Sequence, residues 1–157
     1  MSAARKTPSM DELEALARRF LAAVSAGDVE TALTLYAPDG QRRVGKNVTK
    51  GHEALRARSA RVANAFRDRS LRIEKAMRVP PSTIILEYVE TYRQVGPMPT
   101  PHGDIEPSKV TFDANGVAIV EFVGDKVKEL RPYSDGLFQM LARSRFAPGS
   151  EKEGAGR

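Results

Sequence analysis

The chain has 157 residues and a mass of 17.2 kDa, is 41% hydrophobic and 29% charged, and carries a formal net charge of +5. That length and balance suit one ordinary domain that needs no metal or disulfide staple, and they exclude collagen, coiled coil and full-length disorder. The absence of cysteine removes thiol catalysis, thiolate metal ligands and disulfides, and His52 and His102, the only histidines, are too few for a His-rich metal site.

No apolar run approaches the roughly 18–20 residues that span a bilayer. Residues 1–11 lack the apolar core and cleavage site of a signal peptide. The expectation is a cytoplasmic protein with no membrane partner. A basic chain invites a nucleic-acid reading, but the arginines interleave with Asp and Glu along most of the sequence. The densest group, Arg56, Arg58, Arg61, Arg67, Arg69 and Arg72, points around a helix and not along one face. No Walker loop, zinc finger or aromatic-basic motif is present. A solvated helix surface and no nucleic-acid partner are expected.

Residues 1–8 read as a loose tail, 9–146 as a single domain, and 147–157, rich in Gly, Glu and Lys, as a disordered tail. Ser9-Met10-Asp11-Glu12 forms a capping box, and Leu13, Leu16, Ala17, Phe20, Leu21 and Val24 follow at helical spacing until Gly27. Asp28 caps a short second helix with Val29, Ala32, Leu33 and Tyr36 inward. Pro38 closes it and Asp39-Gly40 makes a turn. A short extended piece over 41–48 precedes a third helix over 52–67, whose stripe is Leu55, Val62, Ala63 and Phe66.

Strands follow. One begins around Leu71 and Ile73 and stops at Pro80-Pro81, and a long one covers 83–95. Residues 96–107 hold four prolines and two glycines and form a long loop of the kind that often carries function. Two further strands cover 108–123 and 126–133, joined at Gly124-Asp125, and a short helix covers 136–143. Asn115-Gly116 is also a hairpin signature, so 108–123 reads either as two short strands or as one long strand bent at Gly116. Helices first and strands after indicate an α+β fold with helices on one face of an antiparallel sheet.

The strand 83–95 carries the most chemical information. Its even positions, Ile84, Leu86, Tyr88, Glu90 and Tyr92, share one face. A carboxylate on that face is costly unless paired or protonated, and burial makes it a proton-transfer candidate. The bland reading puts Glu90 at the sheet rim or against an arginine. Asp135 stands where a strand gives way to a helix, so it is either an N-cap or an acid/base at a strand end. The tyrosines Tyr36, Tyr88, Tyr92 and Tyr133 either orient a polar group in an apolar cavity or simply pack. His102 sits in the proline-rich loop, either folded over a pocket or exposed.

Taken together, these pieces resemble the nuclear transport factor 2-like superfamily, in particular its SnoaL-like polyketide cyclases, limonene epoxide hydrolases and ketosteroid isomerases. The resemblance rests on Phe20-Leu21-Ala22-Ala23-Val24-Ser25-Ala26-Gly27-Asp28, on Ala32-Leu33-Thr34-Leu35-Tyr36-Ala37-Pro38-Asp39-Gly40, on Gly51-His52-Glu53-Ala54-Leu55, and on the final hairpin from Phe122 to Asp135. It implies a cone-shaped α+β barrel, with three N-terminal helices on a strongly bent, mainly antiparallel sheet and a short C-terminal helix. It also implies a single strand over 108–123, a deep apolar pocket and a homodimer.

Carried over residue by residue, Asp135 falls on the acid/base aspartate of SnoaL-like cyclases, and Glu90 on the second carboxylate of the epoxide hydrolases. Tyr88 stands where those hydrolases have an arginine, which weakens an epoxide hydrolase mechanism here. The resemblance then implies a cofactor-free and metal-free enzyme of cyclase, isomerase or hydrolase type, acting on a small hydrophobic, oxygenated molecule. Asp135, Glu90 and Tyr88 would be catalytic, and Phe20, Tyr36, Phe66, Tyr92, His102, Phe112, Phe122 and Tyr133 would bind substrate. The alternative is a non-catalytic ligand-binding or accessory protein with the same fold.

Overall fold

The computed structural model describes residues 4–146, so the tail expected over 147–157 lies outside the described residues. The elements are α1 (Met10–Ala26), α2 (Val29–Leu35), β1 (Tyr36–Val44), β2 (Asn47–Lys50), α3 (His52–Val62), β3 (Phe66–Val79), β4 (Thr83–Gln94), β5 (Thr111–Val123), β6 (Lys126–Ser134) and α4 (Gly136–Phe146). The strands form one open, mixed sheet of six in the order β2-β1-β6-β5-β4-β3. Every pairing is antiparallel except that of β1 with β6. With the helices packed on it and α4 at the end, this is the α+β cone fold the resemblance implied, with an open sheet that one parallel pairing makes mixed.

The N-terminal helices form as read. Ser9 Oγ accepts the Glu12 amide at 3.1 Å, which satisfies one of the free first-turn donors of α1. Gly27 ends the helix at φ 74°, a left-handed conformation that suits glycine, and the Asp28 amide closes back on the Ala23 carbonyl at 2.9 Å. Asp28 Oδ1 then caps α2 through the Thr31 amide at 3.2 Å.

Four expectations differ from the structure. Tyr36 is not helical but opens β1, because Pro38 offers no amide and holds its neighbour in extended backbone. Asp39-Gly40 is strand and not turn. A Cβ on Gly40 would lie 2.7 Å from Tyr36 Cδ1 and 2.8 Å from the Val127 carbonyl oxygen, so glycine there allows close approach of β6 at a register shift. The extended piece over 41–48 is a hairpin of two strands turning at Gly45, φ 58°. The third helix stops at Val62, short of 67, because Phe66 pairs with Gln94 in the sheet and packs edge-on to Tyr92 at 4.7 Å. Helical spacing alone does not reveal that competing partner.

The Asn115-Gly116 ambiguity resolves to one continuous strand, with Gly116 opposite Tyr88 on β4. The main core lies between α1, α2 and the sheet, and Phe20, Leu13, Ile84, Leu86, Val120, Val127 and Leu130 are all buried. Phe20 meets Tyr36 edge-on at 4.8 Å. A second, smaller cluster of Tyr92, Ile105, Phe112, Ala114 and Met140 sits under α4 and the loop after β4. That loop is tied down. Met98 and Ile105 exchange two backbone hydrogen bonds of 3.0 and 2.9 Å, and the buried Gln94 side chain donates to the Ile105 carbonyl at 2.7 Å.

Candidate functional site

A cavity of about 780 Å³ opens between the two core clusters. Its helical wall is apolar, with Leu21, Leu33, Leu55, Val62 and Met140 among the lining residues. Its strand wall is polar: Tyr36 and Arg42 from β1, Arg69 from β3, and Tyr88, Glu90 and Tyr92 from β4. Arg58 enters from α3, and Arg61 and Arg67 stand at the exposed edge. Pro99, Thr100 and Pro101 of the long loop cover part of the mouth.

The parity of β4 decides which side chains enter. Ile84 and Leu86 belong to the core, and the same face then delivers Tyr88, Glu90 and Tyr92 to the cavity. Glu90 lies in register between Leu71 and Ala114. The residue is half-buried, and its carboxylate makes no hydrogen bond among the described residues. Burial pushes its carboxyl pKa up, and the charges of Arg69 and Arg42 offset part of that rise.

The three cavity phenols shift the same way. Burial raises Tyr88 to about 12, with the Glu90 charge adding to it. Tyr36 and Tyr92 are raised as well, burial again the main cause. All three therefore stay protonated at neutral pH, so each keeps an O–H that a bound molecule can use.

The guanidiniums are displaced in the opposite sense. Burial lowers Arg58 to about 10, and the neighbouring Arg42, Arg61 and Arg69 charges contribute. Arg42 and Arg69 are lowered by burial too, with Glu90 opposing in both. Arg42 Nε and Arg69 Nε are buried without a hydrogen-bond partner. Arg69 lies 5.7 Å from the Phe66 ring centre.

Asp135 does not line this cavity. Its Oδ1 accepts the Asn115 amide at 2.7 Å, its Oδ2 accepts from Gln139 Nε2 at 3.3 Å, and its carbonyl accepts the Gln139 amide at 2.9 Å. It thus starts α4 and pins that helix to β5. It lies on a shallow outer groove with Tyr133 and Ser134, and Tyr88 stands between the groove and the cavity, lining both. Among the residues expected to bind substrate, Tyr36, Phe66 and Tyr92 line the cavity. Phe20 and Phe122 are sealed in the main core and Phe112 in the smaller cluster, while His102 is exposed at the loop tip and Tyr133 is 58% exposed. Among the described residues no group of three His, Asp or Glu side chains is placed to hold a metal ion.

The arginines correct the picture of one solvated helix. Arg67, Arg69 and Arg72 are on β3, and Arg58 and Arg69 face inward toward Arg42. The sequence did carry a signal. Arg58 falls between Leu55 and Val62 at i+3 and i+7, on the apolar face of α3. Arg69 alternates in phase with Leu71 and Ile73.

A family model of the SnoaL-like domain matches residues 17–130, and the chain belongs to that family. No curated protein sequence matches it. Solved structures share the fold. One, provisionally assigned as a SnoaL-like polyketide cyclase from Jannaschia sp. CCS1, is 19% identical with a TM-score of 0.75, covering 90% of this chain and 98% of its own. A second, provisionally assigned as a polyketide cyclase from Xanthomonas campestris pv. campestris, is 18% identical with a TM-score of 0.72, over 86% and 98% of the two chains. TsrD from Streptomyces laurentii is 24% identical with a TM-score of 0.68, over 85% and 96%. No helix among the described residues is long and apolar enough to cross a membrane.

Proposed function

We propose that this SnoaL-like domain is a small-molecule enzyme that moves a proton at carbon, with Glu90 as acid/base and Tyr88 as hydrogen-bond donor to the developing oxyanion. The observation that carries the reading is a half-buried carboxylate, free of hydrogen bonds among the described residues and directed into a cavity of about 780 Å³. Ionised Glu90 takes a proton from the carbon beside a substrate carbonyl. The C–H electron pair moves onto the carbonyl oxygen as an enolate, and the Tyr88 phenol supports that oxygen. The enolate is then either reprotonated by Glu90 at another carbon, which is isomerisation, or attacks a second carbonyl carbon, whose oxygen takes the π pair and then the proton held by Glu90 to become a hydroxyl, which is aldol ring closure. The raised Glu90 pKa helps, because a base poised nearer the working pH both accepts and returns its proton. We assign Asp135 the role of holding α4 and β5 together rather than that of acid/base, on its hydrogen bonds and its place outside the cavity.

The test is solvent-deuterium exchange at the α-carbon of a panel of 1,3-diketones and β-keto acids, followed by NMR. Glu90→Gln should slow enzyme-dependent exchange by about 10²–10⁴-fold, while Asp135→Asn keeps it. Undiminished exchange in Glu90→Gln, or its loss only in Asp135→Asn, overturns the assignment.

A further inference from the structure

Five arginines, Arg42, Arg58, Arg61, Arg67 and Arg69, and a single carboxylate, Glu90, line the cavity among the described residues. The three inner arginines converge from separate elements, β1, α3 and β3. None of the three belongs to an ion pair or makes a hydrogen bond among the described residues. The surface arginines contrast with this: Arg56 clamps Glu30 with bonds of 2.7 and 3.1 Å, and Arg78 reaches Asp11 at 2.6 Å and Glu14 at 3.1 Å. Carboxylates are therefore available on this chain, yet those that face the arginines outside stay there. Inside, the buried Nε atoms of Arg42 and Arg69 have no acceptor.

Such an arrangement opposes folding in the empty protein. Buried donors without acceptors lose their water and gain nothing in return. Like charges in a half-buried space repel, which is part of why Arg58 releases its proton more readily than an ordinary arginine. One glutamate without a close contact to any of the three does not balance them. A planar guanidinium fits a carboxylate or phosphate in a two-point contact, and several of them around one space are suited to an anion. The facing wall of Leu21, Leu33, Leu55, Val62 and Met140 suits an apolar body.

We infer that the cavity takes an amphiphilic organic anion, its carboxylate or phosphate head held by Arg42, Arg58 and Arg69 and its apolar body laid against the helical wall. This deepens the acid/base reading by giving its substrate class, and rests on that reading for the step from ligand to substrate. The anion completes the hydrogen bonding of Arg42 and Arg69 and cancels the repulsion around Arg58. In the same cavity it places the rest of the molecule beside Glu90 and the tyrosines.

The experiment compares 2-naphthoate, 2-naphthyl phosphate, the neutral 2-naphthamide and inorganic phosphate by isothermal titration calorimetry on the full chain. The anionic naphthyl ligands should bind at least about tenfold tighter than the amide. Raising NaCl from about 50 to about 500 mM should weaken them while leaving the amide unchanged. Arg42→Gln, Arg58→Gln and Arg69→Gln should each weaken the anions by about tenfold, the loss of one charge-assisted contact. Arg56→Gln, on the outer face of α3, should change nothing. The same three inner variants should melt no lower than the parent without ligand, which a structural role for these arginines does not allow. Should a variant fail to fold, the ligand series and salt dependence of the parent protein still decide.

Tighter binding of the phosphate identifies a phosphorylated ligand and tighter binding of the carboxylate an organic acid, and either supports the inference. Amide binding equal to that of the anions overturns it. Inorganic phosphate binding as tightly as naphthyl phosphate overturns the apolar half. Glu90→Gln separates the two proposals, because it should slow exchange by about 10²–10⁴-fold yet bind the anions no more weakly than the parent.

Discussion

Gly116 faces Tyr88 across the β4–β5 ladder, and the fit leaves no room for a methyl group. A Cβ built there would lie 2.8 Å from Tyr88 Cε2, 2.5 Å from its Oη and closer still to Cζ. Ordinary carbon contacts need about 3.5–4.0 Å, so in Gly116→Ala the ring must retreat by about 1 Å. Tyr88 is 4% exposed, and the spaces open to it are the cavity and the outer groove. Forcing a methyl into a filled site costs about 1–3 kcal/mol, and the stiffer unfolded chain of alanine returns about 0.4–1 kcal/mol. The net loss is about 1–2 kcal/mol, or roughly 3–8 °C in Tm for a domain of this size. Thermal melts by circular dichroism read it directly. The double-mutant cycle with Tyr88→Leu isolates the cause, since alanine at 116 should cost almost nothing once the ring is gone. A Tm within about 1 °C of the parent, or the same loss in the Tyr88→Leu background, would refute the reasoning.

Three further outcomes follow from the geometry. Because burial raises the Glu90 pKa, the folded chain holds that proton to higher pH than the unfolded chain does, and stability falls as pH rises through that interval. Glu90→Gln should therefore be more stable than the parent in urea melts near pH 8 and equal to it below the unfolded carboxyl's pKa of about 4.3. A difference independent of pH would contradict this. Asp135→Ala removes the acceptor of the Asn115 amide and the tie to Gln139, and should cost about 1–2 kcal/mol. Asp135→Asn retains an acceptor oxygen and should lose clearly less. Phe20→Ala empties a site that is 0% exposed beneath Tyr36 and should cost about 3–5 kcal/mol by denaturant unfolding.

What the sequence revealed depended on whether the deciding partner was local. The Ser9 and Asp28 caps and the Gly27 stop lie within a few residues of what they control, and all were legible. The alternation of β4 was equally plain, so the inward direction of Glu90 followed from counting by two. Where a distant segment decided, the local signal misled. Phe66 has helical spacing but a sheet partner at Gln94. Asn115-Gly116 has hairpin chemistry, but its glycine seats the Tyr88 ring. Asp135 shows why a motif does not give a role, because a strand-to-helix aspartate reads alike as cap and as acid until its acceptor bonds are seen. The arginine cluster was the largest omission. It gathers residues from β1, α3 and β3, so no single stretch of sequence shows that the three converge on one cavity.

The parallel pairing of β1 with β6 has a consequence in time. Arg42, opposite Leu130, belongs to a hairpin whose neighbour in the sheet is the last strand, and Gln41 bonds Glu129 at 2.5 Å across a separation of 88 residues. While the chain is being synthesised at about 5–20 residues per second, that hairpin waits roughly 4–18 s for its docking edge to be made. The β3–β4–β5 meander can assemble meanwhile from near neighbours. An emerging chain therefore carries Glu90 on a formed strand before it has the wall bearing Arg42, and a nascent product cut short before Lys126 has no complete binding chamber. The cavity is closed only after β6 and α4, the last described elements, have been made.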